Sequence, residues 1–177
     1  MNTLLITGAT GFLGGAVLES ILNKKNAPNL LLLVRADNSV AAVERVKENL
    51  RKFNISEERL TVLTPGNILL GDLANPQPFL DDPRLNQLTH VLNCAAVASF
   101  GNNPLIWKVN VEGTLQFARR MAQVSGLERF LHVGTAMSCS PDPDSLVAES
   151  TAFRERAEHL VEYTHSKSVS YTHLTLP

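Results

Sequence analysis

Two short stretches carry residue types and spacings that could do chemistry, and they lie far apart in the chain. In "YTHSK", Tyr163 and Lys167 stand at i, i+4 spacing, which places them together on one helix face. A phenol can give a proton to a developing alkoxide, but an unperturbed tyrosine titrates near pKa ~10. A neighbouring ammonium favours the tyrosinate and brings that titration toward neutrality. In "ITGATGFLGG", glycines at 8, 11 and 14 separate a short apolar run from an amphipathic stretch. Gly8 permits a tight turn, Gly11 lets backbone approach a pyrophosphate, and Gly14 lets helix pack on strand. The helix that opens there offers free N–H groups and partial positive charge to an anion. Each pattern taken alone has a plain structural reading: packing glycines, and a tyrosine–lysine pair on a solvated helix.

Both patterns need a scaffold, and hydropathy predicts one. Apolar runs at 2–8, 29–36, 59–66, 89–96 and 129–136 read as buried strands, with "NILL" (67–70) blurring the end of the third. Residues 11–25, 39–53, 104–124 and 150–167 read as helices; in the second, Val43, Val46, Leu50 and Phe53 share one face. Near-continuous apolar strands alternating with helices predict a doubly wound parallel α/β sheet of Rossmann type, with right-handed crossovers. The proline-rich segments 76–83 and 141–143 read as loops inside one domain. Trp107, Phe117 and Met121 read as core, and Arg119 and Arg120 as solvated.

Composition narrows the function classes. The 177 residues are 44% hydrophobic and 19% charged, which suits one globular domain. A net charge of -1 gives no electrostatic case for nucleic acid or an anionic membrane. The longest apolar runs are too short to span a membrane, and no signal-peptide pattern opens the chain. Cys94 and Cys139 are too few for a disulfide framework and fit a reducing cytoplasm. The 5 histidines are scattered, and no Cys/His cluster has metal-ligand spacing.

The second strand ends in "LVRADN". Arg35 suits a 2′-phosphate through charge-assisted bonds, whereas an acid in its place, such as Asp37 two residues on, would suit a 2′-hydroxyl. That order favours NADP over NAD.

"TGATGFLG", "LLLVRADN", "GDL" (71–73), "NCAA" (93–96), "VNVEGT" (109–114), "HVGTA" (132–136) and "YTHSK" (163–167) occur in the order of an extended short-chain dehydrogenase/reductase. The chain resembles that family over residues 1–167. "LVRADN", Glu44, Arg45 and "VGTA" make it most similar to the thioester reductase and fatty acyl reductase branch, of male-sterility type. The resemblance implies an NAD(P)-binding Rossmann domain. It implies a cofactor site of Gly8, Thr10, Gly11, Phe12, Leu13, Gly14, Arg35, Asp72, Leu73, Asn93, Ala95 and Lys167, with Asp72 at the adenine. It implies a catalytic set: Tyr163 as proton donor, Lys167 on the nicotinamide ribose, Thr135 on the substrate oxygen, and Asn110 holding a relay water. No metal is implied. Gly134 stands where many relatives carry serine, and "NILL" before "GDL" looks like a small insertion or a displaced strand end, which makes Asp72 a weaker match than the glycines.

The expected activity is NADP-dependent reduction of a small-molecule or carrier-bound acyl thioester, aldehyde or ketone. An NAD-retaining nucleotide-sugar epimerase or dehydratase, and a non-catalytic NADP-binding sensor, are the alternatives. "SVSYTHLTLP" (168–177) alternates like a strand where this branch continues a helix. It resembles translated adapter read-through, so the expectation is a non-native tail on a fragment. Such a fragment would be incomplete on its C-terminal side and inactive by itself.

Overall fold

Alternate residues of "TLLIT" and "NLLLLV" point to opposite faces of a sheet, and both sets are apolar, so both faces need cover. The computed structural model, which describes residues 2–139, 146 and 159–175, shows that cover. The strands are β1 (Thr3–Thr7), β2 (Asn29–Val34), β3 (Ile68–Leu70), β4 (His90–Asn93) and β5 (Arg129–His132). All pair in parallel, in the order β3-β2-β1-β4-β5. The helices are α1 (Phe12–Leu22), α2 (Ser39–Arg51), α3 (Glu57–Leu60), α4 (Gln77–Leu80), α5 (Leu105–Trp107), α6 (Thr114–Met121) and α7 (Glu162–Thr175). On one face Ile6, Leu32 and Val34 pack with Leu18 of α1 and with Val43, Val46 and Leu50 of α2. On the other face Leu5, Leu33, Leu69 and Val91 pack with Phe79, Phe117 and Met121. The strand order reverses between β1 and β4, where open α/β sheets bind ligands at the carboxyl ends of their strands.

Three expectations need correction. The third strand is "ILL", not residues 59–66. Pro65 has no N–H to give a ladder, and Thr64 N–H donates to Asn67 Oδ1 at 2.9 Å, closing a turn there. Pairing with β2 therefore starts only at Leu32↔Ile68. Leu60 and Leu63 are still buried, but in the core beside α2. "NILL" is thus the strand itself, and it delivers Asp72 to the sheet's carboxyl edge.

Arg120 is not simply solvated. Its Nε donates to Leu80 O at 3.0 Å and its Nη2 to Asn86 Oδ1 at 2.6 Å, fastening α6 to the α4 region.

The last helix also departs from expectation. Residues 159–161 are not helical, and α7 begins at Glu162 and runs on through the stretch that alternates like a strand. The proposed helix over 150–158, the loop at 141–143 and the last residues 176–177 lie outside the described residues. Serine hydroxyls explain the helical continuation. Ser166 and Ser170 are fully buried, and their hydroxyls donate back to Tyr163 O (2.7 Å) and Lys167 O (3.0 Å). Poor intrinsic helix formers are accommodated because their polar groups are satisfied within the helix and by its neighbours.

Between α5 and α6 the chain makes one wide π turn, Lys108–Gly113. It brings the backbone against the loop that follows β3. A Cβ on Gly113 would lie 1.7 Å from Leu73 O, so no side chain fits there.

Candidate cofactor and catalytic site

Gly8 has φ +72°, the left-handed region, and a Cβ there would sit 2.9 Å from Ala95 N. A Cβ on Gly14 would lie 2.3 Å from Gly8 O. These contacts let α1 start directly at the end of β1. Gly11 is the N-cap residue and brings no side chain to α1's first amides, and the first turn has no acidic residue. The contrast is α2, where Asn38 Oδ1 accepts from Ala41 N at 2.9 Å. The α1 terminus is thus suited to an external anion. Asn49, buried on the otherwise apolar face of α2, donates Nδ2–H to Ala9 O (3.2 Å) and Gly11 O (3.0 Å). Sequence reasoning missed it; the available signal was a polar residue between Val46 and Leu50.

A cavity of about 290 Å³ lies at the carboxyl ends of the strands. Seven expected cofactor residues line it: Gly8, Thr10, Gly11, Arg35, Asp72, Leu73 and Ala95. Arg45 also lines it, and its Nη1 donates to Arg35 O at 2.7 Å. Two guanidinium groups therefore stand at one end of the cavity, although sequence reasoning used Arg45 only as a family marker. Arg35 and Asp72 are brought together at 3.6 Å. Asp72 also accepts from Ala74 N at 2.9 Å, which fixes the turn after β3.

The other expected cofactor residues sit differently. Phe12 and Leu13 are exposed on the first turn of α1, and the Phe12 ring lies 5.8 Å from that of Phe53. Gly14 packs under the turn. Asn93 is fully buried beneath the cavity, bonded to Thr7 and His132, and does not line the cavity. An uncapped helix start and a glycine turn closed to side chains together fit the phosphates of a dinucleotide.

Lys167 is 2% exposed, and its Nζ donates to Val133 O at 2.8 Å. Burial pushes its pKa down to about 8, with nearby Cys94 acting in the opposite direction. Burial pushes the Cys94 thiol up, opposed by the Lys167 charge. Tyr163, on the preceding turn of α7, is half-buried and meets the Phe100 ring edge-on at 6.1 Å. Thr135 lies just past β5, two residues beyond Val133, and its Oγ1 accepts from Met137 N at 3.3 Å. Space is open around Gly134, so the serine of many relatives would fit there.

Asn110 is fully buried in the π turn. Its Oδ1 accepts from Val97 N (2.8 Å), and its Nδ2 donates to Val97 O (3.1 Å) and Ser166 Oγ (3.0 Å). Both amide hydrogens are used by protein acceptors. Asn110 therefore joins the loop after β4 to α7 directly. Among the described residues, no group of three or more His, Cys, Asp or Glu could hold a metal, and no helix is long and apolar enough to cross a membrane.

Known proteins resemble this chain in sequence and in fold. A probable fatty acyl-CoA reductase 5 of Arabidopsis thaliana is 32% identical over 162 residues, covering 80% of this chain and 32% of that protein. The chain thus spans about a third of the length of the fatty acyl-CoA reductases it matches. The terminal R domain of the myxalamid PKS-NRPS pathway superposes with a TM-score of 0.81 at 23% identity, over 98% of this chain and 44% of that one. A UDP-glucuronic acid 4-epimerase of Bacillus cereus, in complex with NAD, shares the fold at a TM-score of 0.63 and 18% identity, over 97% of this chain and 50% of that one. The family model described as male sterility protein, an NAD-binding domain, matches residues 6–173, from inside β1 almost to the end of α7. That match spans nearly the whole chain, and the chain belongs to the male sterility protein family.

Proposed function

We propose that this chain is the cofactor-binding and proton-donating part of an NADPH-dependent reductase acting on an acyl thioester, free or carrier-bound, or on an aldehyde or ketone. The observation that carries the reading is one set of strand ends bearing three features: the glycine turn, the Arg35–Arg45 pair, and the loop under which Lys167 is buried. The similarity to a fatty acyl-CoA reductase supports the thioester as substrate. Arg35 and Arg45 would hold the 2′-phosphate, and the first amides of α1 the pyrophosphate. Bound NADPH would supply a hydride. Thr135 would donate a hydrogen bond to the substrate carbonyl oxygen, and Tyr163 would protonate that oxygen as it gains charge. Lys167 stands one helical turn from Tyr163, where its charge favours proton release.

The Arg35–Asp72 contact favours a second reading, with NAD as cofactor, because a carboxylate already engages the arginine. Titration of the chain with NADPH and NADH separates the two: tighter NADPH binding is expected, and equal affinities would sink the NADP reading. Turnover is to be measured in the full-length gene product. There Tyr163→Phe should keep cofactor affinity and lose about 10²–10⁴-fold in kcat. Unchanged turnover would mean that the proton comes from another group.

A further inference from the structure

Tyr163 has a large apolar neighbour that most of its surroundings leave open. Phe100 lies in the loop after β4, and its ring meets that of Tyr163 edge-on with centroids 6.1 Å apart, yet it remains 78% exposed. A ring that served only to pack would be covered. The loop starts in the cavity at the strand ends, where Cys94, Ala95, Ala96 and Val97 line the wall, and it leaves that cavity before Phe100. The arc that carries Phe100 is pinned on both sides. Asn110 bonds both the N–H and the carbonyl of Val97, and Ile106 is fully buried just beyond the arc.

We infer that Phe100 is a specificity-determining residue: its open ring is the wall met by the carbons next to the reacting carbonyl, and it selects an apolar acyl group over a charged one. The inference rests on the catalytic reading of Tyr163 and Thr135. Three observations carry it. The first is place. A carbonyl oxygen that takes a proton from Tyr163 must come within about 2.6–3.2 Å of the phenol oxygen. The carbons bonded to that carbonyl then lie beside the Tyr163 ring and its neighbour. The second is surface. Met137, 58% exposed, stands two residues past Thr135, whose Oγ1 accepts from the Met137 N–H. Large open apolar side chains thus flank both groups proposed to grip the carbonyl oxygen. The third is charge. Residues 91–107 and 133–139 contain no Asp, Glu, Lys or Arg. Glu162 opens α7 next to Tyr163, and the Lys167 ammonium is engaged by Val133 O. A carboxylate in the acyl group would find no cation in either loop and would approach a like charge at Glu162.

The test measures kcat/KM of the full-length gene product on two matched pairs: hexanal against succinic semialdehyde, and hexanoyl-CoA against succinyl-CoA. The unmutated protein should favour the apolar member of each pair, and a preference for the charged member overturns the inference. Phe100→Ala should cut that preference by about 10-fold or more, with NADPH affinity unchanged. Phe100→Leu, still apolar, should keep most of it, and Phe100→Lys should raise kcat/KM for the charged members. An unchanged preference in Phe100→Ala overturns the inference. So does an equal loss on both members, since Phe100 would then only position Tyr163. If Phe100→Ala fails to fold, Phe100→Lys decides, and an unchanged preference there overturns the inference. Undiminished turnover in Tyr163→Phe, or turnover of neither pair by the unmutated protein, would instead sink the proposed reaction and this role with it. A dead Tyr163→Phe beside a Phe100→Ala of unmoved preference fails this inference alone.

Discussion

Helices α1 and α7 both serve the proposed site, and they are held by opposite means. The buried residues of α1 are Gly14, Gly15, Leu18, Ile21 and Leu22; those of α7 are Thr164, Ser166, Lys167, Ser168 and Ser170. Fully burying a leucine stabilises by about 1.5–3 kcal/mol, whatever its direction of contact. A neutral hydrogen bond nets only about 0.5–1.5 kcal/mol, but it demands distance and angle. The α1 end is therefore strongly attached and tolerant of small shifts. The α7 end is weakly attached and sharply registered. Strength and alignment come from different interactions, and the molecule places each where it is needed.

The largest way to break this contrast is Gly14→Ala. Its Cβ would meet the backbone oxygen of Gly8 at 2.3 Å, where no flexible side chain can yield. A stability loss of about 3 kcal/mol by urea unfolding is expected, together with loss of cofactor binding. A tolerated alanine would show that close packing does not hold α1.

Asn110→Ala is the smaller and more selective change. It strands Val97 N–H and O and removes the bond to Ser166, at a cost of about 1–3 kcal/mol. Amide exchange should accelerate in α7 and stay slow in α1. Equal acceleration in both helices would erase the distinction between them.

A third contrast is in pH. His132 is a base whose folded pKa is lowered to about 4 from the ordinary 6.5. The unfolded chain therefore takes up its proton first, and stability falls as pH drops from 6.5 toward 4. Unfolding midpoints across that range should flatten in His132→Gln. Lys167 has the same sign at higher pH: stability rises between about 8 and 10.5, as the native state releases its proton first.

The same division explains what could be read in advance. Strands β1 and β2, helix α2 and the glycine turn follow apolar periodicity and backbone sterics, both of which are local in sequence. Asn49, Arg45 and His132 act through partners 40, 10 and 38 residues away, and no local pattern announces such bonds. β3 was displaced because an apolar run, "RLTVL", fills a core without pairing in the sheet. The serine-rich end of α7 reads poorly as a helix, since propensity reports hydroxyls competing with the backbone and not hydroxyls received by a neighbouring element. Arg35 was legible by its place at a strand end, whereas its contact with Asp72 needed the true position of β3.

Trp107 is the chain's 1 tryptophan, and it stands edge-on to His165 of α7 with ring centroids 5.0 Å apart. His165 stacks in turn on His159 at 5.2 Å. The molecule thus carries its own optical probe at the seam between its strongly and weakly attached parts. Indole emission, free of any competing tryptophan signal, would follow the seating of α7 in real time, with no label to disturb the hydrogen bonds that seat it.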